Sequence, residues 1–136
     1  MSASKAFAPR LDLIAEVVGF SAEAFASEAI DAGLRPAVDL CLEELFTNLV
    51  RHGRSAAPIR IDMRPITGGV EVSLCAEGVD DFDPTQAPSV DVSVPIDQRQ
   101  PGGLGLHLVH QLVDSIEYEY QEHERRSRVT FRKTQA

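Results

Sequence analysis

The hydrophobic residues of this sequence change from helical to alternating spacing between Gly53 and Pro58, and this change constrains the fold more than any other feature. Before it, apolar residues recur every three or four positions, which is the period of an amphipathic α-helix. After it, Ile59, Ile61 and Met63 alternate with polar residues, which is the period of a β-strand. The pattern therefore predicts helices followed by strands within one chain.

Two helices are predicted before this change. The first begins near Leu11 and ends near Ala32-Gly33. The second begins with Pro36, which is favourable in a first helical turn, and ends at Gly53. Its last turn carries basic residues, which interact favourably with the helix dipole. The two helices therefore follow each other almost directly.

The second half of the chain is predicted to form two β-hairpins around a third helix. The first hairpin turns at residues 67–69, the helix follows Gly102, and the second hairpin turns at residues 122–126. This order is typical of an α+β two-layer sandwich, in which a mixed or antiparallel sheet carries helices on one face. The 136 residues fall below the roughly 150 typical of one domain, so we expect a single domain over residues 1–136.

A long acidic segment separates the first hairpin from the third helix. Residues 78–100 show no sustained period, and between Pro65 and Gln98 there are seven acidic residues and no Lys or Arg. Loops longer than about 12 to 15 residues often act as lids or binding segments. A solvated surface loop is the equally open alternative.

The charge balance and the cysteine count argue against several classes of protein. Thirteen Lys and Arg against 21 Asp and Glu give a net charge of −8, which repels phosphate backbones, so we expect no nucleic-acid partner. No apolar stretch reaches the ~18 residues of a membrane span, and acidic residues interrupt the region where a signal peptide would be apolar. Cys41 and Cys75 form neither a disulfide framework nor a zinc motif. We therefore expect a cytoplasmic protein without a membrane partner.

The second predicted helix carries a polar stripe beside its apolar face. On the helical wheel, Asn48 lies about 40° and His52 about 80° from Glu44. Apolar neighbours within one turn can desolvate Glu44, which raises a carboxylate pKa and suits it to accept a proton. Asn48 offers a neutral oxygen that suits Mg²⁺. The alternative interpretation is an ordinary solvated helix face.

A glycine-rich segment, Pro101-Gly-Gly-Leu-Gly-Leu-His107, opens the third predicted helix. Glycines let backbone amides approach a phosphate closely, and a helix N-terminus adds free N–H donors and partial positive charge. The segment lacks the Lys of a P-loop and does not directly follow a strand, so it is neither a Walker nor a Rossmann motif. It is either a phosphate cradle or a flexible hinge.

The order of these segments resembles a known superfamily. Four segments carry the resemblance: LCLEELFTNLVRHG, FDP in the acidic loop, PGGLGLHLVHQLVDSIEYEY, and a final VTFRK. They resemble the ATP-binding domain shared by gyrase, histidine kinases and heat-shock chaperones. Within that superfamily the chain looks most like the anti-sigma factor serine/threonine kinases of bacterial partner-switching systems. The resemblance extends from about Leu11 to Lys133.

The resemblance implies roles for individual residues. Glu44 matches the general base of the family, and Asn48 matches its Mg²⁺ ligand. The residues that match the loop closing over the phosphates of ATP, and the start of its helix, are Gly103, Gly105, Leu106 and His107.

The adenine-binding motif of the family has changed in this chain. Glu77 and Val79 stand where the family carries the Asp and Gly of an Asp-x-Gly motif, in which Asp reads the adenine amino group. Glu is longer than Asp by about 1.5 Å, and a β-branched Val resists the positive φ that Gly tolerates. A local shift that uses Gly78 as the turn residue would leave Asp80 or Asp81 as the substitute acid.

The function implied by the resemblance is that of an ATP- and Mg²⁺-dependent regulatory serine/threonine protein kinase. Such a protein would bind a sigma factor and an anti-sigma factor antagonist, and homodimer formation is a further option. The competing interpretation is a non-catalytic interaction module that keeps the fold with a degenerate nucleotide pocket. Glu77 and Val79 favour this module, whereas Glu44, Asn48 and the glycine loop favour the kinase.

Two other groups of residues are interpreted as surface features. His107 and His110 have helical spacing, but no carboxylate or Cys is placed to complete a tetrahedral metal site with them. The basic residues in 125–133 form either a solvated hairpin or an edge that binds phosphates or an acidic partner.

Overall fold

The computed structural model describes residues 2–86 and 103–135 of the chain. Within these ranges the structure contains three α-helices, which are α1 (Ile14–Ser27), α2 (Arg35–His52) and α3 (Gly103–Leu112). It also contains five strands, which are β1 (Ala3–Phe7), β2 (Ile59–Ile66), β3 (Gly69–Glu77), β4 (Ser115–Gln121) and β5 (Arg126–Thr134). Residues 87–100, which make up most of the predicted acidic loop, lie outside the described ranges.

The described strands form one antiparallel sheet in the order β1-β2-β3-β5-β4. β2 and β3 form the first predicted hairpin, and β4 and β5 form the second. The two hairpins are joined through β5, because Val72 of β3 lies opposite Phe131 of β5. The predicted α+β two-layer sandwich is therefore confirmed, and its sheet is antiparallel throughout.

The helices cover one face of the sheet and bury its apolar side chains. The largest fully buried side chains come from both layers and include Leu42, Leu45, Phe46, Ile59, Ile61, Met63, Leu74 and Phe131. Phe7 of β1 makes edge-to-face contacts with Phe20 of α1 and with Phe46 of α2, at centroid distances of 5.8 and 6.4 Å. These contacts fasten the edge strand to both helices.

The first helix is shorter than its hydrophobic period predicts. Residues Leu11–Leu13 form a 3-10 turn before α1, and Ala29 has a φ of 53°, which ends the helical path before Ala32. The Asp31 side chain then accepts a hydrogen bond of 2.8 Å from the Gly33 N–H and caps the turn that leads into α2. None of the helices in residues 2–86 and 103–135 has the length and apolar character needed to cross a bilayer.

The opposite face of the sheet, called the open face below, carries charged side chains, and no helix of residues 2–86 and 103–135 covers it. Its charged residues are Arg60, Asp62, Arg64, Glu71, Glu77, Glu117, Glu119, Arg126, Arg128 and Arg132. Arg132 pairs with Glu71 at 2.8 Å and with Glu117 at 3.0 Å. A hydrogen bond from Arg64 holds the pKa of Glu71 below its ordinary value. These opposite charges allow the open face to remain in contact with water.

Candidate functional site

One wall of a narrow cleft is formed by α2. The α2 residues that line it follow helical spacing and are Leu45, Asn48, Leu49 and His52. Most of the facing residues come from the segment after β3 and from β4 and β5, and they include Asp80, Phe82, Pro84, Tyr118, Ser127 and Val129. The cavity volume is about 20 Å³. That space suits a single water molecule and is far below the ~300 Å³ at which small-molecule sites begin.

Asn48 is a buried polar group in this cleft. The residue is 6% exposed, and its Nδ2 has no hydrogen-bond partner among the described residues. A buried polar group without a partner costs about 1 to 3 kcal/mol, so such a group usually bonds to an ordered water or to a ligand. A ligand in the cleft would be able to supply the missing partner.

Glu44 lies one turn before Asn48 on α2, against the first turn of α3. A methyl group placed on Gly105 would overlap the Glu44 carboxylate, so the two residues are in direct contact. Burial raises the pKa of Glu44 above its ordinary value, and the nearby charge of Glu43 adds to this, whereas Arg51 opposes it. A partly desolvated carboxylate with a raised pKa is a better proton acceptor than an ordinary carboxylate.

The other residues of the predicted phosphate loop have separate surroundings. The chain enters α3 at Gly103, and Leu106 is buried in the core, where it anchors the first turn of the helix. His107 lies 3.1 Å from the Gln111 side chain through its Nε2 atom. Neither Leu106 nor His107 lines the cleft. The structure therefore brings Glu44 and Gly105 together and leaves His107 outside this contact.

Glu77 lies away from the cleft. Ala76 points into the core, and because side chains alternate along a strand, Glu77 points to the open face. There its carboxylate is 65% exposed and lies 3.2 Å from Arg126. The carboxylate and α2 thus lie on opposite faces of the sheet, and the role of Glu77 at the nucleotide base stays a prediction that this placement does not support.

The turn after β3 follows the alternative that uses Gly78. Gly78 has a φ of +68°, whereas Val79 keeps an ordinary backbone conformation. Val79 is buried, and its Cγ1 atom would lie 3.0 Å from a Cβ atom built at Gly53, so it packs against the C-terminal end of α2. Asp80, unlike Glu77, lines the cleft, and its carboxylate accepts a hydrogen bond of 2.8 Å from Arg125.

Two tyrosines of β4 hold the segment after Val79 in place, and the sequence did not single them out. The Tyr120 hydroxyl donates to the Val79 carbonyl at 2.8 Å. The Tyr118 hydroxyl donates to Asp81 at 2.8 Å and accepts from the Phe82 N–H at 3.2 Å. Burial and the neighbouring Asp81 raise the pKa of Tyr118, so its hydroxyl keeps the proton that it donates. The only sequence signal was the i, i+2 spacing of the two tyrosines on one strand face.

Metal-binding side chains do not cluster in residues 2–86 and 103–135, where no group of three or more His, Cys, Asp and Glu could hold an ion. The two histidines of α3 have different partners, since His107 contacts Gln111 and His110 contacts the Pro84 carbonyl at 2.9 Å. Any Mg²⁺ in this part of the chain would therefore depend on few protein ligands.

Comparison with known proteins identifies the family. The profile of the histidine kinase-like ATPase domain matches residues 7–133, which is nearly the whole chain. The chain belongs to this family. The resemblance inferred from residues 40–53, FDP, the glycine loop with its helix and the final VTFRK is thereby confirmed, and an ATPase domain implies nucleotide binding.

Two individual proteins are similar to this chain, one in sequence and one in fold. The serine/threonine-protein kinase BtrW of Bordetella bronchiseptica is 33% identical over 95 residues, which cover 67% of this chain and 66% of BtrW. The match thus spans slightly less than two thirds of that relative. The Acinetobacter baumannii histidine kinase AdeS superimposes with a TM-score of 0.50 at 19% identity, over 97% of this chain and 67% of the AdeS chain. At that identity the likeness to AdeS shows the fold alone.

Proposed function

We propose that this chain is an ATP- and Mg²⁺-dependent serine/threonine protein kinase of the anti-sigma factor type. The observation that carries the proposal is the contact between Glu44 and Gly105, with Asn48 one turn further along α2. This places an acid with a raised pKa beside the start of a helix, where backbone N–H groups favour phosphates. The similarity to a protein named as a serine/threonine kinase supports the same chemistry.

Each group in this arrangement has a defined task in phosphoryl transfer. The N–H groups at the start of α3 would hold the phosphates of ATP, and Asn48 would hold Mg²⁺ together with phosphate oxygens. The bound ion would neutralise phosphate charge. Glu44 would orient the attacking hydroxyl and take its proton as the new O–P bond forms and the bond from the γ-phosphorus to ADP breaks.

The surroundings of Asn48 fit such an ion. Mg²⁺ usually keeps several waters and binds through one or two side chains plus substrate phosphates, so it does not need a cage of protein ligands. The ligand atom of Asn48 would be its carbonyl oxygen Oδ1, whereas the unpartnered Nδ2 is a donor that could bond to a phosphate or water oxygen beside the ion. The residues in the cleft are therefore compatible with the ion.

The proposal extends to the biological role. As a regulatory kinase in a partner-switching system, the protein would sequester a sigma factor and phosphorylate a Ser or Thr of a small antagonist in the cytoplasm. A second candidate function, a non-catalytic interaction module, is favoured by two observations. The cavity measures only about 20 Å³, and Glu77 points to the open face.

Calorimetric titration separates the two candidates. The purified protein is titrated with a non-hydrolysable ATP analogue in the presence of Mg²⁺, and ADP formation from ATP is measured in parallel. Saturable binding that weakens in EDTA, together with ADP release, is expected for the kinase. Absence of binding by a folded protein would reject the kinase in favour of the interaction module.

A further inference from the structure

Phe82 lines the cleft and stacks on a ring of α2. Its ring centroid lies 4.3 Å from that of His52, and the two planes differ by 10°. Both residues line the cleft, and Phe82 is 36% exposed, which is unusual for a large apolar side chain in this protein. The stack therefore forms part of the cleft wall and is at the same time partly in contact with water.

Hydrogen bonds on both sides hold Phe82 in this position. Its backbone N–H donates to the Tyr118 hydroxyl, which in turn donates to Asp81. Two residues further on, the Pro84 carbonyl lies 2.9 Å from His110 of α3. The Asp80 N–H donates to the Gly53 carbonyl at the end of α2, at 3.1 Å. Hydrogen bonds thus tie the segment to α2, α3 and β4 and hold Phe82 against His52.

The Phe82 ring stacks on His52 in the way that a nucleobase would. A nucleobase is a flat aromatic ring that binds proteins largely by stacking on side chains such as His and Phe. With Phe82 in place the cavity is about 20 Å³, which is too small for any base. A base that binds the face of His52 on which Phe82 stacks must separate the two rings, because Phe82 already covers that face.

We propose that Phe82 is the residue that sets nucleotide affinity in this cleft, by competing with the nucleobase for the His52 ring. The inference rests on the proposed function, since it assumes that the cleft takes a nucleotide. This competition affects only ligands that carry a base. A ligand with a base must displace Phe82 to stack on His52, whereas a ligand that consists of phosphates alone has no ring and does not compete with Phe82 for that surface.

The test compares two probes on the full chain. The non-hydrolysable ATP analogue and inorganic tripolyphosphate, each with Mg²⁺, are titrated by calorimetry into the parent protein and Phe82→Ala. Loss of the aromatic pair should tighten binding of the ATP analogue about 2- to 12-fold and leave tripolyphosphate binding unchanged. Leu11→Ala serves as the matched control, because it also removes an exposed apolar side chain but lies outside the cleft.

A second variant avoids truncating a ring. Tyr118→Phe keeps the aromatic side chain and removes the hydroxyl that bonds to Asp81 and Phe82. It should also tighten binding of the ATP analogue, by a smaller factor, without a change for tripolyphosphate. In the Phe82→Ala background, His52→Ala should reverse the gain, because the base then loses its stacking surface.

Three outcomes would overturn the inference. Unchanged or weaker ATP-analogue binding by both Phe82→Ala and Tyr118→Phe would reject competition and leave the proposed function standing. Equal tightening for both probes would show general loosening of the cleft. A folded parent protein and folded variants that bind neither probe would reject the inference and the proposed function together.

Discussion

The Glu44 carboxylate lies against the α-carbon of Gly105, so that α2 and α3 meet where an acid faces a residue without a side chain. Any larger residue at this position would displace either the carboxylate or the first turn of α3. The contact therefore fixes the distance between the proposed base and the proposed phosphate-binding amides.

Substitution of Gly105 should slow catalysis, because a larger residue displaces the Glu44 carboxylate or the first turn of α3. Gly105→Ala is expected to lower the rate of ADP formation about 10- to 100-fold, because small misplacements of reacting groups have effects of this size. Gly19→Ala is the matched control, since a methyl group there meets no atom within 4 Å. In the middle of α1 it should instead stabilise the fold by about 0.5 to 1 kcal/mol. Normal turnover by Gly105→Ala would contradict the proposed arrangement.

Removal of the carboxylate charge should separate catalysis from binding. Glu44→Gln is expected to keep affinity for the ATP analogue and to slow ADP formation by ~10²-fold or more, because a positioned base contributes on that scale. Glu23→Gln on the exposed side of α1 should change neither quantity. A Glu44→Gln variant with full turnover would exclude this residue as the base.

Glu44→Gln should also differ from the parent protein in its stability toward unfolding. Because burial raises the pKa of Glu44 in the folded protein, folding favours its protonated form. The fold therefore loses stability as the pH rises from the unfolded value of about 4.3 through the raised folded pKa. Glu44→Gln should be more stable than the parent at pH 7, and the difference should vanish at about pH 3.5. Thermal unfolding at the two pH values measures this, and an equal difference at both would refute it.

Asn48 should act through the ion. Asn48→Ala is expected to weaken binding of the ATP analogue about 10-fold in Mg²⁺ and to have little effect in EDTA, because the proposed ligand contacts the metal and not the base. Calorimetry under both conditions gives the comparison. Equal weakening with and without Mg²⁺ would assign the residue a packing role.

Glu77 should be dispensable for nucleotide binding. Its carboxylate pairs with Arg126 on the open face, so Glu77→Gln should leave the affinity for the ATP analogue unchanged within about 2-fold. The lost ion pair is exposed and should cost less than about 1 kcal/mol of stability. A large loss of affinity for the ATP analogue in this variant would show that the C-terminal end of β3 rearranges when the nucleotide binds.

Local patterns were sufficient to predict most of the elements. The hydrophobic spacing of α2 and of both hairpins is set by residues close together in the chain. The sequence therefore predicted the bounds of these elements to within a few positions. β1 was missed because its five residues, ASKAF, contain one large apolar side chain. Lys5 lies on the same face of β1 as Phe7, and its Nζ atom is 5.5 Å from the centre of the Phe7 ring. Polar and apolar residues therefore do not alternate along this strand in the way that predicts one.

The candidate site was less accessible to such reasoning. The pair of Glu44 and Gly105 followed from the resemblance, but their contact depends on how α3 packs against α2. The direction of Glu77 depends on the register of β3, since a shift by one residue moves a side chain to the other face. Phe82 was only part of a motif, because stacking on His52 joins residues 30 positions apart and leaves no local pattern.

The position of β5 also determines how this protein can be made. β5 lies between β3 and β4 although it follows both in the chain. Its pairing with β3 joins Glu77 to Arg126 and Gly69 to Thr134, and such long loops are slow to close. A nascent chain on the ribosome can form its helices and first hairpin early, but it must keep the edge of β3 unpaired until β5 emerges. During synthesis that edge is a template for aggregation, and the cleft has neither Ser127 nor Val129 until the same moment.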